Sequence, residues 1–148
     1  MPGATDAFET SLLGLIITNV DAANVGDATG LRGSTTAGVF WISLHTGAGA
    51  TDTGNQTTNE AAYGGYARQD EARNTTQWTV TNNTADNDNA IGFPAATSGA
   101  ETETGFGLGS TLTGAGNLFL YGTLTAVLAV SNGITPSFAA GALDITLD

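Results

Sequence analysis

Apolar and polar residues alternate along most of this chain, and the period of the alternation names its elements. From residue 39 to 45 the order Val-Phe-Trp-Ile-Ser-Leu-His puts Phe40, Ile42 and Leu44 on one face and Trp41 and Ser43 on the other. That period of two is a strand's, and the far face is only partly apolar. Further strand-length runs lie at residues 65–72, at 77–82 with Trp78 and Val80 inward, at 91–93 before Pro94, and at 105–112, 118–124 and 125–130. At residues 143–147, Leu143, Ile145 and Leu147 alternate with Asp144 and Thr146. Asn, Asp and Gly bound these runs roughly every 8 to 12 residues, which predicts a mainly β chain built as an antiparallel β-sandwich or jelly roll. Asn132-Gly133 signals a type I′ hairpin turn, and Ala115-Gly116-Asn117 a looser one.

One segment has the helical period instead. Residues 5–19 predict a short N-terminal helix with Asp6 as N-cap, Glu9 three residues on in a capping-box-like pair, and Phe8, Leu12, Leu15 and Ile16 on one face. Gly14 and the β-branched residues after it weaken the second half. Residues 21–37 are rich in Gly, Ala, Thr and Asp without periodicity and read as a surface loop. Residues 47–60 carry no apolar anchor and are expected to be the least ordered stretch apart from the extreme N-terminus. The organisation expected is a helix-and-loop arm over residues 1–37 and a β-sandwich over residues 38–148, one globular domain overall, as a length of 148 residues suggests.

Composition narrows the function. Only 11% of the residues are charged, so Thr, Asn, Ser, Gly and Ala make most of the surface. The three cations are Arg32, Arg68 and Arg73, against 14 acidic residues, for a net charge of -11. Phosphate backbones and anionic membranes repel such a surface, so neither a nucleic acid nor a membrane is expected as partner. No apolar run approaches the ~20 residues of a spanning helix. Without cysteine there is no disulfide, thiolate metal site or cysteine nucleophile. The beginning MPGATDAFE lacks the basic and apolar regions of a secretory signal, so the chain is expected to stay in the compartment where it is made.

The candidate chemistry is sparse. His45 is the one histidine, and a general base or a metal site needs companions that no second His or Cys supplies, so a structural or surface role at a strand end is expected. Asp86-Asn87-Asp88-Asn89 resembles the start of a calcium loop, but Ala90 stands where an oxygen ligand is wanted, and a polar turn is expected. The pairs Asp144/Asp148 and Glu101/Glu103 alternate as solvated strand faces do, rather than as the two carboxylates of a glycosidase. The run Gly105-Phe106-Gly107-Leu108-Gly109 has the spacing of neither a dinucleotide nor a phosphate loop. The sequons at Asn55, Asn74 and Asn82 are what Thr- and Asn-rich sequence yields by chance. For Arg68 and Arg73 the nearby Asp70 and Glu71 are the expected partners, with a contact across subunits as the sharper alternative. No catalytic residue, metal or cofactor is assigned.

A longer pattern carries a resemblance. It runs through residues 39–47 (VFWISLHTG), Asn59-Glu60 with residues 63–68 (YGGYAR), residues 91–96 (IGFPAA), residues 116–124 (GNLFLYGTL) and residues 134–147 (ITPSFAAGALDITL). In that order it resembles a family of small tailed-bacteriophage virion proteins, often labelled tail fibre or hypothetical structural proteins. Residues 99–113 are more glycine-rich than the family's strand, and Thr113 stands where an Asp is usual. The resemblance implies a non-enzymatic virion component. A fibre shaft needs length or repeats, and this chain has neither, so the leading expectation is a decoration or cement protein on the outer capsid surface. It would be homotrimeric and bound to the major capsid protein, with shell contacts from the N-terminal segment or from residues 47–60. A tail fibre, tip or adaptor component is the alternative. A carbohydrate-binding β-sandwich is the third, with Trp41, Trp78, Tyr63 or Tyr66 stacking on sugar if those rings are exposed.

Overall fold

The computed structural model describes residues 4–23, 25 and 30–147. Among these the chain is mainly β, with antiparallel sheets and one short N-terminal helix, as the alternation predicts. The elements are α1 (Asp6–Ile17), β1 (Val39–Thr46), β2 (Gln69–Ala72), β3 (Trp78–Thr81), β4 (Thr84–Asn87), β5 (Ile91–Gly92), β6 (Ala100–Gly109), β7 (Leu118–Ser131), β8 (Ser137–Phe138) and β9 (Asp144–Thr146). They form a four-stranded sheet in the order β2-β1-β6-β7, a three-stranded sheet β3-β4-β9 and the pair β5-β8. The chain divides into two compact units, one holding α1, β3, β4 and β9, the other β1, β5, β6 and β7 with most of β2.

In the first unit α1 packs on β3 and β4. Its buried side chains are Glu9, Leu13 and Ile17, whereas Phe8 is 45% exposed. The buried stripe is therefore not the one drawn through Phe8, Leu12, Leu15 and Ile16. Anchors at both ends set the rotation. The Thr10 hydroxyl donates to the Asn82 carbonyl, and the Arg73 guanidinium donates to the carbonyls of Ile16 at 2.6 Å and Leu15 at 2.9 Å. An arginine at these positions satisfies orphan carbonyls and complements the negative end of the helix dipole. The N-cap is Thr5, through its backbone alone; Asp6 is already helical.

The β3–β4 hairpin closes on Asn82-Asn83, with Asn82 at φ 55°, a left-handed position that Asn tolerates. Strand β4 falls on the stretch expected to be a polar turn. Asn87 explains why: it is 1% exposed, its side-chain amide donates to the carbonyls of Asn89 and Ala139, and its oxygen accepts from the N–H groups of Ala142 and Leu143. One polar side chain thus replaces apolar burial as the reason for a strand. Around it Leu13, Ile17, Trp78, Ala85, Leu143 and Ile145 form the core of this unit.

In the second unit β1 pairs with β6 and β6 with β7, both antiparallel. Ile42 faces Leu108, and Leu44 faces Phe106. These four, with Phe40, Tyr63, Ile91, Phe93 and Val130, are buried. The two runs expected at 118–124 and 125–130 are a single strand, because β6 bridges them. Gly105 pairs with Thr123 and Glu103 with Leu128, so Thr104 alone spans Leu124, Thr125, Ala126 and Val127. β6 itself starts earlier than expected and ends at Gly109. At Asn132-Gly133 only Gly133 has a positive φ, at 89°, and Ile134 N–H donates to the Ser131 carbonyl. That is the pattern of a type II turn, and the strand after it does not pair with β7.

Candidate functional site

The strongest concentration of polar chemistry lies inside the second unit. Ser43 and His45 are both 0% exposed on the far face of β1. They fit because β6 presents glycine there: a Cβ on Gly107 would stand 2.8 Å from His45 Nε2 and 2.9 Å from Ser43 Oγ. A side chain at that position would evict both groups, which gives the glycine run of β6 a packing role. Ser43 Oγ lies 2.8 Å from His45 Nε2, and His45 Nδ1 lies 2.8 Å from the Thr58 carbonyl. A carbonyl only accepts, so Nδ1 carries the proton, Nε2 accepts, and the Ser43 hydroxyl donates to it. Burial lowers the imidazole's pKa, against the Thr58 carbonyl and the Glu60 charge, which raise it. This is the contact of a nucleophile and its base, without a path for substrate. His45 is the next-to-last residue of β1, buried where the strand ends, and it ties the strand to residue 58.

That residue belongs to the loop expected to be least ordered, and the loop is tied down along its length. Gln56, 0% exposed, accepts from the N–H groups of Ser110 and Thr111 at 3.0 Å and donates to the Thr111 carbonyl. Gln56 thus meets the chain just past the end of β6, where Ser110 N–H also donates to the Asn117 carbonyl. Beside them Arg68, 4% exposed, grips Glu60 through two bonds, Nε to Oε1 at 2.6 Å and Nη2 to Oε2 at 2.7 Å. Its remaining N–H groups go to the carbonyls of Thr111 and Gly114 and to the Thr111 hydroxyl. All five donors of the guanidinium are used. Tyr66 completes the cluster: its hydroxyl donates to Glu60 and accepts from Leu44 N–H. Burial, then the Glu60 charge, raises its pKa. The expected pairing of Arg68 with Asp70 or Glu71 is thus replaced by a pair with Glu60. An open cleft of about 370 Å³ runs past this cluster, lined by Tyr66, Arg68, Leu112 and Gly114 among others, but its cation has no donor left for a ligand.

The remaining candidates separate. Glu101 accepts from the N–H groups of Ala62 and Tyr63, while Glu103 is 0% exposed and receives no N–H or hydroxyl donor among the described residues. Burial, then the neighbouring Glu101 carboxyl through a shared hydrogen bond and its charge, pushes Glu103 up to about 8, and burial with both glutamates pushes Tyr63 up to about 12. The pair is therefore one surface-facing acceptor and one core carboxyl, not two solvated groups on a strand face. Asp144 stands opposite Asp86 across β4 and β9, and burial, then Asp144, raises the Asp86 pKa. Asp148 lies outside the described residues. Asn55 and Asn74 are turn residues: each side-chain oxygen accepts from the N–H and hydroxyl of the Thr two positions on, so two of the sequons are Asn-capped turns. Arg32 meets Asp21 at 3.7 Å on the surface.

Trp78 and Tyr63 are buried, at 1% and 3% exposure, and Tyr66 packs edge-on against Tyr63 and flat against Phe93. These rings form core, so the platform that the carbohydrate reading needs is missing at Trp78, Tyr63 and Tyr66. The exposed aromatic rings are Phe8 on α1 and Phe119 and Tyr121 on β7. Compared with known proteins, residues 16–146 match a family model described as the podophage GP4 fiber I protein gp80. A comparison with curated proteins found no match.

Proposed function

The chain belongs to the family of the podophage GP4 fiber I protein gp80, a family of phage virion structural proteins, and on that premise we propose that it is a non-enzymatic module of the virion's outer surface. The finer reading is a capsid decoration or cement protein, homotrimeric, with the major capsid protein as partner and without cofactor. The family match carries the virion role. The outer-shell position is supported by a net charge of -11, which suits a protein that meets no packaged DNA. It is supported too by the absence of any repeat that would build a shaft. A role in contact rather than catalysis is supported by Ser43 and His45, whose reactive atoms are sealed in the sheet.

A tail-fibre component is the second reading, favoured by one observation: the family's own description is of a fibre protein. Copy number separates the two. Quantitative mass spectrometry of purified particles, with the major capsid protein as internal standard, is expected to give a copy number close to that protein's. A handful of copies per particle would move the chain to the tail. Of the two segments expected to touch the shell, residues 47–60 are already pinned by Gln56 and Thr58 and have no ordering left to gain, and residues 1–3 lie outside the described residues.

A further inference from the structure

β7 is the longest strand, 14 residues, and it ends the four-stranded sheet: among the described residues it pairs with β6 alone. Ten of its residues, in LFLYGTLTAVLAVS, are apolar and none is charged or proline. Edge strands in monomeric proteins are guarded by brevity, lysine, proline or an inward charge, because free N–H and C=O groups beside apolar side chains recruit another chain. β7 has none of these four. Its bulge does not turn the apolar residues away either. It extrudes residues 124–127, leaving Val127 64% exposed, and farther along Phe119 is 52% and Tyr121 45% exposed. Leu112, 48% exposed in the β6–β7 turn, lengthens the strip at one end.

Charge selects the occupant. All 14 carboxylates lie off this strand, so a basic partner has every reason to bind elsewhere. Two chains of net charge -11 repel each other over most of their surfaces and meet at least cost along the one long strip without charge. Each copy brings the same apolar residues and unpaired backbone, the self-complementarity that association between identical chains needs. Measured along β6, the ten-residue strand it pairs with, β7 runs about 34 Å at ~3.4 Å per residue. We propose that β7, with Phe119, Tyr121 and Val127 exposed along it, is the surface through which copies of this chain join. The proposal rests on the assembly part of the function proposed above and names the surface that does it.

The test uses the full chain in solution, by light scattering or native mass spectrometry across concentrations. Wild type is expected to be multimeric. Val127→Lys, at a position already exposed, is expected to raise the dissociation constant at least ~10-fold, while Phe8→Lys, the control on α1, leaves the mass unchanged. Circular dichroism and a thermal melt show whether each variant folds. A monomeric wild type, or a folded Val127→Lys that assembles as wild type does, overturns the proposal, and so does a multimer broken by Phe8→Lys alone. Copy number per particle does not enter these outcomes, so a failure here is distinct from a failure of the virion position.

Discussion

Strands β1 and β7 lie in the same sheet with one strand between them, and each hides what the other shows. β1 buries Ser43 and His45 together with Phe40, Ile42 and Leu44, so both of its faces are interior. β7 leaves Phe119, Tyr121 and Val127 outside. Polar groups inside a sheet cost stability unless every donor and acceptor is matched, and those of β1 and its loops are matched through Thr58, Glu60, Gln56 and Arg68. Apolar groups outside cost little in stability and gain their worth when something covers them. The contrast separates two tasks: the interior polar cluster specifies the fold of its unit, and the uncharged edge serves assembly.

The largest break in this division comes from the cluster. Arg68→Ala leaves the Glu60 carboxylate without its cation, the Gly114 carbonyl without the guanidinium's N–H, and the Thr111 carbonyl with Gln56 alone. Removing one member of a buried ion pair typically costs ~3–5 kcal/mol. A calorimetric melt is expected to show a fall of about 10 °C or more. A loss under about 1 kcal/mol would mean that loop 47–60 is held by its other ties, through Gln56, Thr58 and Asn59.

Glu103 is the exception to matched polar burial, and removing its charge is expected to stabilise. With its pKa pushed up to about 8, the folded chain keeps a proton that the unfolded chain, titrating in the ordinary carboxyl range, has already released. Stability therefore falls as pH climbs from the ordinary carboxyl range to about 8 and is flat above it. Glu103→Gln is expected to raise the unfolding free energy at pH 9 by roughly 1–2 kcal/mol and to leave it unchanged at pH 4. His45 has the opposite sign. Its pKa is lowered in the fold, so the unfolded chain takes up a proton first, and stability drops as pH falls through the ordinary histidine range. His45→Gln is expected to cost about 1 kcal/mol at pH 8 and to flatten the slope below pH ~6.5. Denaturant titrations at several pH values check both signs.

How far these features could be read from residues alone follows from which of them are local. The alternation in β1 was legible because Phe40, Ile42 and Leu44 fall on one face, and so were β3 and β9. β4 was not, since Thr84, Asp86 and Asn87 give no apolar period and the strand is held by Asn87 bonding a turn more than fifty residues away. The helix existed where expected but turned a different face inward, because Asn82 and Arg73, distant in sequence, set its rotation. The Arg68–Glu60 pair was missed in favour of nearer acids; scarcity of cations signalled that Arg68 had a partner, but not which of 14 carboxylates it was. Nothing in the strand pattern marked the step that makes residues 118–131 one edge, because it depends on Thr104 of the neighbouring strand.

The smallest expected effect on stability sharpens the comparison most. Val127 is 64% exposed and lies in the extruded part of β7, so Val127→Thr removes little buried apolar area from the isolated chain. Measured below the concentration at which copies associate, its unfolding free energy is expected to lie within about 0.5 kcal/mol of wild type. At higher concentration the wild-type midpoint should rise with concentration, because association stabilises the folded chain by mass action, and the variant's should rise less. A lower midpoint at all concentrations would mean that the bulge supports the fold of its own unit. An equal rise in both proteins would mean that copies meet away from β7. The separation of the two curves with concentration, rather than their position at any one, distinguishes an edge built for assembly from an edge that is merely apolar.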